Sequence, residues 1–274
     1  MRARALTAVA LTAVALILAA LTGCAQSVDP IERLGRKAAD RVHEAAPAPY
    51  RRWGLTAPPA AAPSHPARPL PGSPGTALPP VLDHVPTADR VVFLTYDDGA
   101  ERDPRFVDMV RELRLPVTMF LTDSVVGPGY AHFARLQSVG ASIQNHTLDH
   151  PALRGLPYAG QRAEICGQQD KLRARFGLRP RLLRPPYGAY DATTRRAAAD
   201  CGIAALVLWR AAMGPTGLSY SHGPHRLSPG DVIAVAPDES PGPSLRDRTT
   251  RLLRQIQHEH LTVARLEYYV QPAP

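Results

Sequence analysis

From about Arg90 onward, strand-like and helix-like patterns alternate almost without interruption, and this alternation narrows the possible folds more than any other feature of the chain. The runs at 91–96 (VVFLTY), 117–122 (VTMFLT), 141–146 (ASIQNH), 181–186 (RLLRPP), 205–209 (ALVLW), 231–236 (DVIAVA) and 262–269 (TVARLEYY) read as strands. Between them, 104–114, 129–139, 157–177, 191–201 and 244–260 read as helices. Strands that take turns with helices make βα units, because each helix carries the chain back to the edge from which the next strand starts. The expectation is an α/β fold with about seven parallel strands, either open or closed into a barrel. Residues 209–231, dominated by Gly, Pro, Ser and His, read as a loop.

The chain before this region is of another kind. MRARALTAVALTAVALILAALTGC opens with two arginines, continues apolar and leaves through small residues, the pattern of a secretory signal, although residues 5–22 are also long enough to span a membrane. LTGC resembles the bacterial lipobox, which implies that residues 1–23 are removed and that Cys24 is lipidated. The protein would then sit on the outer face of the bacterial cytoplasmic membrane through its lipid anchor. Residues 24–45 hold a short amphipathic helix behind Asp29 and Pro30, with Ile31, Leu34, Ala38 and Val42 at helical spacing. Residues 46–88 are rich in Pro and Ala and read as a stiff spacer, leaving 89–272 as the folded domain.

Net charge adds little. The whole chain carries +8, and without residues 1–23 it has 30 basic against 24 acidic residues, or +6. Such a surface suits anionic envelope polymers, but no basic run interleaved with aromatics points to nucleic acid, and nothing points to a protein partner. Beyond Cys24 the cysteines are Cys166 and Cys201, in helical patterns flanking one strand. An oxidising compartment permits a disulfide between them, and two buried thiols is the alternative.

Chemistry-bearing residues gather where three of the strands end. TYDDG (95–99) closes the first strand, NHTLDHP (145–151) the third and RPPYG (184–188) the fourth. The C-terminal ends of parallel strands are where α/β folds collect their functional groups. His146 and His150 are spaced to bring two imidazoles to one side of a turn, and an aspartate from the first strand end would complete a two-nitrogen, one-oxygen set with room for water.

TYDDG, HTLDH and RPPYG, in this order and at these separations, resemble the motifs of the NodB-homology polysaccharide deacetylases, carbohydrate esterase family 4. The resemblance covers roughly Arg90 to Val270 and implies a distorted (β/α) barrel with fewer than eight repeats. It implies Asp98, His146 and His150 as ligands of a divalent metal, with zinc suited to such a set. Asp97 would be the general base, Arg184 would keep it ionised, and the Tyr187 backbone N–H would stabilise an oxyanion. Thr147 would orient the histidine turn. The substrate class implied is a polysaccharide of N-acetylated amino sugars in the envelope or outside the cell.

Two family motifs are altered. Aligned by Trp209, Ala212 falls where the family has an Asp, and aligned by Gly230-Asp231, Ala236 falls where it has the His that protonates the leaving amine. His222, His225, Asp238 and Glu239 are the candidates for a substitute acid. The alternatives are a glycan-binding relative with impaired catalysis and an esterase for O-acetyl groups, whose leaving group needs less protonation.

Overall fold

A computed structural model describes residues 48–63, 78–99, 101–237 and 242–270. The signal sequence, Cys24, the 31–42 helix, Asp238 and Glu239 lie outside the described residues. In chain order the first elements are α1 (Pro49–Arg52), β1 (Val81–Leu82), β2 (Val91–Tyr96), α2 (Pro104–Leu113), β3 (Thr118–Leu121) and α3 (Asp123–Val126). There follow α4 (Tyr130–Ser138), β4 (Ser142–Asn145), α5 (Tyr158–Phe176), β5 (Leu182–Leu183) and α6 (Ala192–Asp200). The last are β6 (Ala205–Val207), β7 (Ala211–Met213), β8 (Leu218–Tyr220), β9 (Val232–Val235), α7 (Leu245–His258), β10 (Thr262–Val263) and α8 (Leu266–Val270).

The strands form one curled, mostly parallel sheet in the order β1-β6-β5-β4-β3-β2-β9-β7-β8, with β10 also on β2. Among the described strands, only β8 runs antiparallel to its neighbour. The curl explains why β2 is buried throughout. Val91 and Phe93 point into its concave interior with Phe120, Leu182, Val207 and Val232, whereas Val92, Leu94 and Tyr96 pack under the helices with Phe106, Met109 and Leu252. Both faces of the strand are covered, so the alternation of side chains leaves no polar face. Each such Leu or Phe contributes roughly 1.5–3 kcal/mol by leaving water. Five helices match their sequence ranges to within two residues. Their starts are set locally, as where Asp103 accepts from the Arg105 N–H behind Pro104, and where Asp191 with Thr194 and Ser244 with Asp247 form capping boxes.

Three sequence expectations are corrected. Residues 209–231 are not all loop, because β7 and β8 form a hairpin there. Each has three residues, and β8 is an exposed edge strand without an apolar signal. The run at 262–269 is strand only at Thr262–Val263. Leu266, Tyr269 and Val270, buried at i, i+3 and i+4, have the helical period that their aromatic and β-branched neighbours obscured. Nor is the Pro/Ala-rich stretch solely a spacer. Trp53 and Leu55 are buried, the Trp53 indole donates to Glu112 on α2 (2.8 Å), and Arg254 on α7 donates to the Gly54 carbonyl (2.8 Å). Farther on, β1 adds to the sheet beside β6.

Cys166 on α5 is bonded to Cys201, just past α6, with Cα atoms 5.1 Å apart. No helix among the described residues is long and apolar enough to cross a membrane.

Candidate metal centre

The two adjacent carboxylates at the end of β2 take different surroundings because the backbone turns between them. Asp98 has φ +66° and Gly99 φ +91°, both left-handed. Gly99 is required there, since a Cβ would lie 2.4 Å from a Val126 methyl. The turn is pinned where Thr122, just past β3, donates its N–H to the Asp98 carbonyl and its hydroxyl to the His146 carbonyl (3.2 and 2.8 Å).

Asp98 Oδ1 lies 3.3 Å from His146 Nε2 and 3.1 Å from His150 Nε2, and the two nitrogens are 3.2 Å apart. His146 Nδ1 donates to the Arg184 carbonyl (2.7 Å), which leaves Nε2 as a lone pair facing the carboxylate. The Asp98 oxygen is buried and accepts no N–H or O–H from elsewhere in the described protein. Three electron-pair donors converging without a proton for each pair repel one another unless a cation lies between them. The residues therefore fit a divalent ion, held by two nitrogens and one oxygen with further positions open.

Asp97 faces the other way. Its Oδ1 accepts from Arg184 Nη1 at 2.7 Å, and Arg184 is fully buried. The guanidinium also donates to the Thr95 hydroxyl and to the Val207 and Leu208 carbonyls (2.8, 3.1 and 3.0 Å). It lies over the Phe120 ring at 4.4 Å and near the Trp209 ring at 5.5 Å. Burial lowers the Arg184 pKa, and the charges of Asp97 and Asp98 together with the Asp97 hydrogen bond oppose that shift. One residue thus holds the free carboxylate with its side chain and fixes a histidine tautomer with its carbonyl.

Tyr187, at φ +59° and largely exposed, stands with its ring 4.9 Å from that of His150. Asp97, Asp98, His146, His150, Arg184 and Tyr187 are thus gathered at one end of the sheet. The turn from His146 to His150 is closed as its threonine suggested, for Thr147 Oγ1 accepts the His150 N–H (3.2 Å) and Asn145 Oδ1 accepts the Thr147 N–H (2.9 Å).

Of the candidate substitute acids, the two among the described residues, His222 and His225, are not brought in. Ala212 on β7 pairs with Ala234 and Ser219, and Ala236 donates its N–H to the Met213 carbonyl, so neither strand end offers an ionisable group there. Beyond Tyr220 the chain has run back along β7. There His222 pairs with Asp83 and His225 stacks on Tyr220, without contact to Asp98. The sequence reading missed Thr95, Thr122 and Asn145, although Thr95 and Asn145 lie inside the motif stretches.

Residues 84–206 match the model of the polysaccharide deacetylase family. An uncharacterised protein of Streptomyces coelicolor is 64% identical over 197 residues, which are 72% of this chain and 79% of that one. Chitin deacetylase 1 of Cryptococcus neoformans is 28% identical over 160 residues, and the match spans 58% of this chain but only 34% of that enzyme. Among solved structures, a CE4 family pseudoenzyme from Bacillus anthracis shares the fold with a TM-score of 0.60 at 15% identity, covering 70% of this chain and 69% of that one. With these matches and the three strand-end motifs, the chain belongs to the polysaccharide deacetylase family.

Proposed function

We propose that the protein is a metal-dependent hydrolase that removes N-acetyl groups from amino sugars of an envelope or extracellular polysaccharide. The observation that carries this reading is the division between Asp98, grouped with two histidines as a cation site needs, and Asp97, outside that group and paired with a buried arginine. Asp98, His146 and His150 would hold a divalent ion, of which zinc suits the set best, and it would supply Lewis acidity toward an acyl oxygen and water. Asp97 accepts the proton as water adds to the acyl carbon, and the Tyr187 N–H donates to the developing oxyanion. The C–N bond then breaks, and the leaving nitrogen takes the proton back from Asp97, because Ala212 and Ala236 supply none. The Cys166–Cys201 bond suits an oxidising compartment and so favours an exported protein; lipidation at Cys24 is proposed from the LTGC stretch alone.

Ala212 and Ala236 also favour a second reading, a glycan-binding relative with little turnover. Acetate release from N-acetylated glycan oligomers and peptidoglycan by the zinc-loaded protein, compared with Asp97→Asn, decides between them. A deacetylase loses about 10²- to 10⁴-fold of its rate in that variant. Saturable binding with no release by the wild type overturns the hydrolase.

A further inference from the structure

Two residues of the histidine turn, Thr147 and His150, have left-handed backbones (φ +71° and +60°), which side chains other than glycine disfavour. Such a turn keeps its shape only where its surroundings fix it. We infer that Glu164, on the neighbouring helix α5, is a positioning residue for the metal centre: it holds the turn in the shape that aims both imidazoles at one point. The inference rests on the metal-dependent reading above.

A single oxygen carries the contact. Glu164 Oε2 accepts the N–H of Leu148 at 3.1 Å and of Asp149 at 2.9 Å, the two residues between Thr147 and His150. Thr147 and His150 already have their N–H groups satisfied by Asn145 and Thr147 side chains. Glu164 therefore completes the hydrogen bonding of the turn's interior.

The rest of the same helix face supports this role independently. The Ile165 carbonyl accepts from Asn145 Nδ2 (2.9 Å), and Gln168 Nε2 donates to the Leu121 carbonyl (2.5 Å). At Gly167 a Cβ would stand 3.4 Å from a Leu148 methyl, so the helix comes close to the turn where it lacks a side chain. Positions 164, 165, 167 and 168 lie on one side of a helix. Cys166, within this stretch, ties it to Cys201, and Gln169 Nε2 donates to the Cys201 carbonyl (3.2 Å). The turn is thus braced by an element that is itself braced.

The test is zinc affinity of the full-length protein, measured by competition with a chromogenic chelator. Groups that orient metal ligands from outside typically account for about 10- to 100-fold in affinity, and Glu164→Ala is expected to lose that much. Glu164→Gln should stay within about threefold of wild type, because one amide oxygen can accept both N–H groups and only the charge is gone. The visible spectrum of the cobalt(II) form should change in Glu164→Ala. It should not change in Leu253→Ala, a core truncation on α7 that controls for general loosening. The inference is overturned if Glu164→Ala binds zinc like wild type, if Glu164→Gln is as weak as Glu164→Ala, or if Leu253→Ala alters the spectrum equally. A wild-type protein that binds no zinc would instead remove the metal reading, and the role of Glu164 with it.

Discussion

At the residue scale, Arg184 shows why two jobs in one place separate under mutation. Its guanidinium supplies four hydrogen bonds from complete burial, whereas its carbonyl holds His146 whatever the side chain is. Arg184→Met is expected to leave zinc affinity within a few-fold of wild type while acetate release falls by at least about 10²-fold, because Asp97 loses the hydrogen bond that positions its carboxylate. Stability should also drop by about 3–5 kcal/mol, since Asp97 and three oxygen acceptors are left without partners. Chelator competition beside an acetate assay reads both effects. The strand-end residues were legible from sequence because carboxylates, imidazoles and an arginine are conspicuous after apolar runs. Glu164 was not legible, for a glutamate on a long helix looks like any solvated charge until the turn opposite it is seen.

At the scale of elements, α4 carries a histidine that makes acid costly. His132 is 4% exposed, and neither ring nitrogen has a hydrogen-bond partner. Burial, aided by Arg135 and Arg102 and opposed by Asp103, holds its pKa down to about 4. An unfolded chain takes up this proton near pH ~6.5, and the folded one refuses it until pH falls much further. This group therefore favours folding above pH ~6.5, and that contribution, about 3 kcal/mol, is lost as pH falls toward 4. Urea unfolding near neutrality and near pH ~4.5 should show a larger fall in midpoint for wild type than for His132→Phe; equal falls would contradict it. The elements that sequence missed share a physical cause. Strands β7 and β8 are too short for a period to show, and α8 hides its helical spacing in residues that prefer strands. The long helices were found because five of them carry full turns of buried positions.

For the whole molecule, the start of the domain lies earlier than composition suggests. The 48–63 segment buries Trp53 and Leu55 and hydrogen-bonds to α2 and α7, and β1 lies in the sheet. A chain beginning at residue 87 lacks all of this and should unfold at a lower temperature than one beginning at residue 48. Burial of Trp53 alone is worth about 3–5 kcal/mol by analogy with Trp→Ala truncations. Equal melting temperatures would show that the segment adds nothing. The signal was present as YRRWGL, but it was outweighed by the prolines around it. Ala212 and Ala236 stand where the family's acid pair is expected, while the residues proposed as base and metal set, and the arginine beside them, remain. On the proposed reading, one codon at position 184 would separate a catalyst from a receptor that keeps its metal.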